Sequence, residues 1–419
     1  MITFKELGLH KTILRAIAEK GYDTPTKVQE KTIPAVLEGF DVISSAQTGT
    51  GKTAAFALPI MQLLLKNQNA AKKQKIIRAL VLSPTRELAE QIRQDFKVYA
   101  NYTNLRTTAV YGGTAIEPQI DRLRKGVDVL IATPGRLLDL FKREKIKLNH
   151  IQTLVIDEAD LMLDMGFIND VNKVVKISRL QKQILLFSAT MPQKVIDLTK
   201  AVLHEPITIK ISETSAAAKN VKQQLYYVPK PKKTELCLHL LRNLTSRDAK
   251  TAKNNILIFR RTKFGVDKLE ASLVKNGYDV VSFHGDRSQS ARQEALNKFK
   301  NNQVNILIAT DVASRGIDIN ELDVVINFDL PNIPETYVHR IGRTGRAGKN
   351  GIAYSFCSPD EKTYVKNIQR LLNKAIPVET EHPYPLEKKP DDKPKKRTGS
   401  KYKKGRKSVA SKKKKKRWY

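Results

Sequence analysis

Cysteine is almost missing from this chain: two in 419 residues, Cys237 and Cys357, far apart and each inside an apolar run. That spacing suits neither a disulfide framework nor a metal site, so both are expected as reduced core residues. Long apolar runs are missing too, and no stretch approaches the ~18 residues needed to cross a bilayer. The opening "MITFKELGL" has no signal-peptide apolar region and goes straight into a helix-like pattern. A soluble, unexported, cytoplasmic chain without a membrane partner is the expectation. Acidic residues are scarce beside basic ones, 42 against 75, for a formal charge of +33. Residues 387–419 hold 17 Lys and Arg against 3 Asp and Glu, so +14 sits there and +19 remains on the rest. A polyanionic partner follows. Nucleic acid ranks ahead of membrane, because no basic helix carries an apolar face.

An apolar fraction of 41% supports globular folding, and the length implies two domains. Short β-branched runs alternate with amphipathic helical segments. In the first half the strand candidates are Val42–Ser45, Ala79–Ser83, Thr107–Tyr111, Asp128–Ala132, Thr153–Ile156 and Ile184–Phe187. In the second half they are Gln223–Val228, Asn255–Phe259, Val280–Phe283, Asn305–Ala309, Val324–Asn327 and Ile352–Phe356. Apolar runs bounded by polar turns, with helices between them, indicate buried parallel strands and an α/β fold in both halves. The small, polar "SETSAAAKN", Ser212–Asn220, is the expected linker. From about Glu379 the pattern gives way to Pro, Lys, Gly and Ser, and a disordered tail is expected there. The two halves share no obvious sequence repeat.

"AQTGTGKT", Ala46–Thr53, follows a strand and opens a helix, the context that a phosphate-binding loop requires. Gly49 and Gly51 let the backbone turn tightly and offer N–H groups to phosphate oxygens, and the helix N-terminus adds partial positive charge. Lys52 would reach the β and γ phosphates, and Thr53 would place its hydroxyl on Mg²⁺. Ala46 stands where the general pattern has its first glycine.

"TLVIDEADLML", Thr153–Leu163, ends a buried strand in three carboxylates. Asp157 suits the Mg²⁺ that bridges β and γ oxygens of a nucleotide. Glu158 could take a proton from an attacking water or orient it. Helix capping by Asp157 or Asp160 is the alternative, and it would explain one acid rather than three.

The acids read Asp157-Glu158-Ala159-Asp160, and here the chain resembles the DEAD-box ATP-dependent RNA helicases. The resemblance extends over roughly residues 2–378, in an ordered set of motifs. It implies two RecA-like parallel-sheet domains in tandem, 1–211 and 221–378, joined by the flexible linker 212–220 and followed by a disordered Lys-rich tail, 379–419. "GYDTPTKVQ", Gly21–Gln29, resembles the adenine-sensing motif, with Phe4 seventeen residues upstream. Gln29 would then bond the adenine, and Phe4 and Tyr22 would belong to the ATP site. So would Ala46, Gln47, Thr48, Gly49, Thr50, Gly51, Lys52, Thr53 and, at the ribose, Asp318. The family usually has Ala at the position of Ala46.

"PTREL", "GG" and "TPGR" resemble the RNA-contacting loops of the first domain, which implies Pro84, Thr85, Arg86, Gly112, Gly113, Thr133, Pro134, Gly135 and Arg136. Such loops suit sugar–phosphate contacts, which position a strand without reading its sequence. In the second domain "LIFRRT", "HGDRSQSAR" and "ATDVASRGID" imply RNA contacts at Thr262, Gln289, Arg292 and Thr310, with Arg315 in the same motif. "SAT", Ser188–Thr190, resembles the motif that couples ATP state to domain closure. Asp160, Ser188, Thr190 and His339 would be the coupling set. "HRIGRTGR", His339–Arg346, supplies Arg343 and Arg346 as arginine fingers, since an arginine keeps its charge and its fork matches phosphate oxygens.

The implied activity is RNA-stimulated ATP hydrolysis, with ATP and Mg²⁺, coupled to local opening of short duplexes or remodelling of ribonucleoproteins. Glu158, Lys52, Arg343 and Arg346 would carry the chemistry. The compact N-terminus and short core resemble the bacterial RhlE subgroup. A monomer is expected, working in ribosome assembly or RNA decay with precursor or decay proteins as partners. The tail, with Tyr402, Trp418 and Tyr419 among its lysines, would tether structured RNA. The alternative is an annealing clamp, in which the tail pairs strands and ATP hydrolysis only times release.

Overall fold

The computed structural model describes residues 2–46, 49–66, 76–178, 183–211, 221–245, 254–314, 322–345 and 350–386. The expected linker, the tail from 387 onwards, and Gln47, Thr48, Arg315, Asp318 and Arg346 lie outside the described residues.

All twelve expected runs form strands. In the first half they are β1 (Val42–Ser45), β2 (Ala79–Leu82), β3 (Thr107–Val110), β4 (Val129–Ala132), β5 (Thr153–Ile156) and β6 (Gln183–Ser188). A further strand, β7 (Ile207–Lys210), completes a sheet of order β3-β4-β2-β5-β6-β1-β7. The second half contributes β8 (Val221–Tyr227), β9 (Ile256–Arg260), β10 (Val280–Phe283), β11 (Ile306–Thr310), β12 (Val324–Asn327) and β13 (Gly351–Cys357). With β14 (Val378–Glu379) they form a sheet of order β10-β11-β9-β12-β13-β8-β14. The two orders are the same once the second is renumbered from its own first strand. Every strand pairing is parallel. The repeat that the residues hide is plain in the topology.

Parallel sheets must be covered on both faces, because their crossovers are helices. Alternate side chains accordingly enter different cores. Ala79 and Val81 of β2 face one core, with Ile33 and Phe56, while Leu80 and Leu82 face the other, with Leu137 and Val174. In β9, Ile256 and Ile258 join the core of Leu236 and Leu269, and Leu257 and Phe259 join that of Leu296 and Phe299.

β7 and β14 are additions to the sequence expectation. Both are edge strands: in β7 only Ile209 is buried, and β14 has just two residues. Neither gives the continuous apolar run by which a two-face-buried strand is recognised. Just past the expected start of the tail, the His382 ring lies 5.4 Å from Tyr226 and Tyr384 packs against the core of the second sheet. Two aromatic rings suffice to hold a segment whose composition resembles a linker.

All strand C-terminal ends of a parallel sheet lie on one edge. In the first sheet β5, β6 and β1 are neighbours, so the loops at 157–160, 188–190 and 46–53 emerge together. β2, β4 and β3 group the loops at 84–86, 133–136 and 112–113. β9, β11 and β10 occupy the equivalent places in the second sheet. Ile258→Ala, which opens a hole in a fully buried position, should destabilise the second sheet by about 2–5 kcal/mol. Urea unfolding of the full chain measures it; a loss near zero would mean that this core is not close-packed.

Candidate functional site

β1 and β6 pair so that Ser45 lies beside Ser188, and Ala46 N donates to Ser188 O at 3.1 Å. The phosphate loop therefore starts against the Ser188–Thr190 loop. Gly49 and Gly51 both have φ +89°, in the left-handed region that glycine enters without strain. A side chain on Gly51 would also collide with Gln29. Lys52 opens the helix Lys52–Lys66 and is 6% exposed, and its Nζ has no hydrogen-bond partner among the described residues. Thr53 stands next to it, half-buried.

Gln29 is turned to the loop itself. Its Oε1 accepts from Thr26 N at 2.9 Å and its Nε2 donates to Gly51 O at 3.1 Å, while Thr26 Oγ1 donates to Thr50 O at 2.8 Å. An amide keeps one hydrogen and one lone pair after two such bonds, so a base edge could still be met. Phe4, expected at the ATP site, is buried. It lies with Leu7 and Leu9 in the first core, because the short N-terminal segment anchors itself through these three residues. Tyr22 is partly exposed and tilted against Tyr99, with ring centroids 6.5 Å apart.

Asp157 directly follows β5 and is 4% exposed, and its Oδ1 accepts from Glu158 N at 3.0 Å. Glu158 has φ +50° and ψ +54°, a left-handed conformation that costs a non-glycine residue roughly 1–3 kcal/mol. The helix Ala159–Asp164 then begins with no side-chain cap, which removes the capping explanation for the acids. Asp160 instead reaches the neighbouring loop, where its Oδ2 accepts from Thr190 N at 2.9 Å and Thr190 Oγ1 at 2.8 Å. Its own N–H donates to Ser188 Oγ at 3.3 Å, and that hydroxyl donates to Thr190 O at 2.6 Å.

Asp157 and Asp160 are shifted in opposite directions. Burial pushes the Asp157 carboxyl up to about 7; Lys52 opposes the shift, and Glu158 and Asp160 add to it. Burial also works against the Asp160 charge, but His339, Lys52 and the Thr190 hydrogen bonds outweigh it and hold its carboxyl below the ordinary value. A buried ammonium with no hydrogen-bond partner among the described residues, close to a buried carboxyl group, fits a triphosphate and its Mg²⁺. No group of three His, Cys, Asp or Glu among the described residues could hold a metal ion. Mg²⁺ does not need one, since phosphate oxygens and water fill most of its shell.

Residues of the second half close this edge. A cleft of about 400 Å³ is lined by Glu158, Asp160 and Thr190 on one side and Thr336, His339 and Arg343 on the other. His339 and Arg343 come from the helix Pro334–Ile341 and the turn after it.

The remaining loops meet in a second cleft, of about 450 Å³, lined by Pro84, Thr85, Arg86, Gly112, Thr133, Gly135, Arg136 and Arg292. Thr85 and Thr262 occupy equivalent places after β2 and β9. Each caps the next helix, accepting from Leu88 N at 3.3 Å and Gly265 N at 3.0 Å. Pro134 opens the helix Pro134–Lys142, and Arg136 Nη2 donates to Thr114 O at 3.1 Å. Gly113, with φ +75°, is where Arg86 crosses the backbone, and any side chain there would strike the guanidinium. Thr310 ends β11, half-buried.

Two expected RNA residues are engaged with Glu87, which sequence reasoning quoted but did not assign. Glu87 takes Arg292 Nη2 at 2.9 Å and Gln289 Nε2 at 2.9 Å, while Arg86 Nη1 donates to Gln289 Oε1 at 3.4 Å. Both ends of the Glu87–Arg292 pair are buried. Met165 and Phe167 also line this cleft and carried no signal beyond an ordinary helix end.

Family comparison fits this arrangement. Residues 26–198 match the DEAD/DEAH box helicase model, and residues 232–348 the helicase conserved C-terminal domain. The ATP-dependent RNA helicase CshA of Limosilactobacillus reuteri is 43% identical over 368 residues, 88% of this chain and 71% of that protein. The chain belongs to the DEAD-box ATP-dependent RNA helicases. Among solved structures, the DEAD-box helicase Mss116 bound to single-stranded RNA and UDP-BeF superposes with a TM-score of 0.82 at 29% identity, covering 90% of this helicase and 80% of that chain. Dbp5 of S. cerevisiae bound to RNA and ADP BeF3 gives 0.77 at 29% identity, covering 90% and 95%. The two sheets are thus the tandem RecA-like domains of a DEAD-box protein.

The raised pKa of Asp157 has a consequence for the nucleotide-free helicase. Between the unfolded value near 4 and about 7 the folded state holds the extra proton, so this group's contribution to stability falls as pH rises through that window. Asp157→Asn should therefore raise the melting temperature at pH 8 and change it little at pH 5. Thermal melts at the two pH values decide it, and an equal shift at both would show that Asp157 is not raised.

Proposed function

We propose that the cleft between Glu158 and Arg343 is where this helicase hydrolyses ATP, and that the other cleft holds RNA by its sugar–phosphate backbone. The observation that carries this reading is one lining shared by both sheets: Glu158, Asp160 and Thr190 face His339 and Arg343 across about 400 Å³. The whole-chain similarity to RNA- and nucleotide-bound relatives, across both domains, supports the same arrangement.

Each residue's role follows from its place. The loop Ala46–Thr53 would wrap the phosphates, with Lys52 as the cation they meet. Asp157 and Thr53 would hold Mg²⁺, which when bound offsets charge on the β and γ oxygens. Glu158 would orient the attacking water and take its proton, held at the cleft by its left-handed backbone. Asp160 would tie the site to Ser188 and Thr190 and, through His339, to the second domain. Arg343, with Arg346 beyond it, would meet charge developing on the γ-phosphate. Gln29 and Tyr22 would face the adenine, and Asp318 the ribose.

RNA would lie over the loops after β2, β3 and β4 and their counterparts after β9, β10 and β11. Arg86, Arg136, Gln289 and Arg292 are its nearest polar groups. Both ligands favour the closed arrangement, so each must raise affinity for the other. Backbone contacts give preference for RNA without sequence specificity, with 2′-hydroxyls as the distinguishing groups. The boundaries 1–211 and 221–378, the RhlE-like subgroup, a cytoplasmic monomer and a place in ribosome assembly or RNA decay belong to this reading. They rest on sequence pattern, and no helix among the described residues is long and apolar enough to cross a membrane.

Glu158→Gln should cut ATP turnover by at least about 10²-fold while ATP-dependent RNA binding survives. Arg343→Ala should slow hydrolysis by about 10³-fold and leave ADP affinity nearly unchanged. Steady-state ATPase and nucleotide titration test both, and unaltered turnover in either variant would remove that residue from the chemistry. Deleting residues 387–419 should weaken RNA binding and flatten its dependence on salt, with basal ATPase intact. Binding unchanged by the deletion would reject the tether. Annealing without ATP, and no ATP-driven strand separation, would mark an annealing clamp.

A further inference from the structure

Lys20 and Tyr22 flank the turn by which the chain leaves the helix Lys11–Glu19. Lys20 is the residue that closes this helix, and Gly21 follows with φ +75°, in the left-handed region that glycine enters without strain. Gly21 N donates to Ala18 O at 2.9 Å, and Tyr22 N donates to Ile17 O at 3.0 Å. Together these bonds make a Schellman turn, which fixes the backbone from which the Tyr22 side chain departs.

A second set of contacts holds the side chain. Lys20 Nζ donates to Asp95 Oδ1 at 2.6 Å, and Asp95 belongs to the helix Arg86–Tyr99. The same ammonium stands 5.5 Å from the centre of the Tyr22 ring and 4.9 Å from that of Tyr99. Tyr99 ends the second helix, is buried, and tilts its ring 52° to that of Tyr22. Burial works against the Lys20 charge, but the Asp95 hydrogen bond and carboxylate outweigh it and hold its pKa above the ordinary lysine value. A lasting cation thus sits against two aromatic rings, whose faces attract it.

Anchoring of the first helix is a poor reason for this arrangement. Ile13, Ala16 and Ile17 already bury its apolar face. The Lys20 and Asp95 side chains are 28% and 21% exposed, and an ion pair that water reaches adds little stability. Its position says more. Ammonium, carboxylate and buried ring converge on Tyr22, the one aromatic side chain that the proposed function sets at the adenine.

We propose that Lys20 and Asp95 form a positioning pair for the nucleobase: the ammonium, pinned by the carboxylate, holds the Tyr22 ring as a fixed surface on which adenine stacks. Neither residue touches the nucleotide; both act through Tyr22. A ring free to turn loses that freedom when a base stacks on it, whereas a ring held beforehand has already lost it. The division of labour with Gln29 is then clear. Gln29 meets the edge of the base, and the pair secures the face. The proposal rests on the placement of adenine at Tyr22 above, and it adds what keeps that ring in place.

The test is phosphate release by the full chain from ATP and from ribose 5-triphosphate, which keeps sugar and phosphates and lacks the base. Lys20→Met and Asp95→Ala should each raise the KM for ATP about three- to fivefold, the scale of one partly exposed cation–aromatic contact, with kcat unchanged. The KM for ribose 5-triphosphate should not move. Lys20→Arg keeps the charge and should restore the wild-type KM for ATP. The double variant Lys20→Met/Asp95→Ala should be no worse than the weaker single one, since both changes break one link. Arg15→Met serves as a control on the same helix, where the guanidinium lies 4.0 Å from the centre of the Tyr102 ring. It should leave both KM values as they are. An unchanged KM for ATP in Lys20→Met, an equal rise for both substrates, no rescue by arginine, or a control that raises the KM for ATP as much would overturn the proposal. Tyr22→Ala separates this from the reading beneath it: a KM for ATP unmoved in that variant would overturn the placement of adenine at Tyr22.

Discussion

Everything functional in this molecule depends on parallel strand pairing. A parallel sheet buried on both faces exposes only its edges, and its strands all end on the same one. Chemistry can then be carried only by the loops at those ends. The order β3-β4-β2-β5-β6-β1-β7 divides the loops into two groups, and the second sheet repeats the division. Phosphate loop, acids and coupling loop share one half of an edge; the glycine, proline and arginine loops share the other.

Electrostatics explain why the first group is left unfinished. Asp157 and Lys52 are buried near one another without saturating each other, and Glu158 holds a backbone conformation that few glutamates adopt. Asp160 alone is fully settled, with Thr190 and His339 around it. In the proposed function a nucleotide would supply an anionic hydrogen-bond partner for Lys52. The site trades local stability for readiness, as sites that bind highly charged ligands commonly do.

The second group is crossed by ties between the domains. Glu87 gathers Arg292 and Gln289, so groups suited to phosphate oxygens meet a carboxylate in this structure. A buried pair of this kind is strongly felt when one partner is lost, and it specifies geometry more than it adds stability. In the second domain, Arg340 also pairs with Asp311, and Tyr337 donates to Gln223.

Sequence by itself determined the α/β class, the twelve strands with continuous apolar runs, and the residue types of the phosphate loop and the acid cluster. These are local properties: an apolar run buries, and a glycine–lysine turn before a helix binds phosphate, wherever the chain places them. Edge strands β7 and β14 escaped, because a strand covered on one side or barely at all leaves no such run. Tertiary structure alone decided which strand ends are neighbours, and so which bonds join Asp160 to Thr190, a pairing that only the resemblance had implied. It also placed Phe4 in a core, turned Gln29 to the phosphate loop, and brought Glu87 to Arg292 across 205 positions of chain. Such contacts depend on strand order and domain packing, which long-range burial settles and no local pattern records.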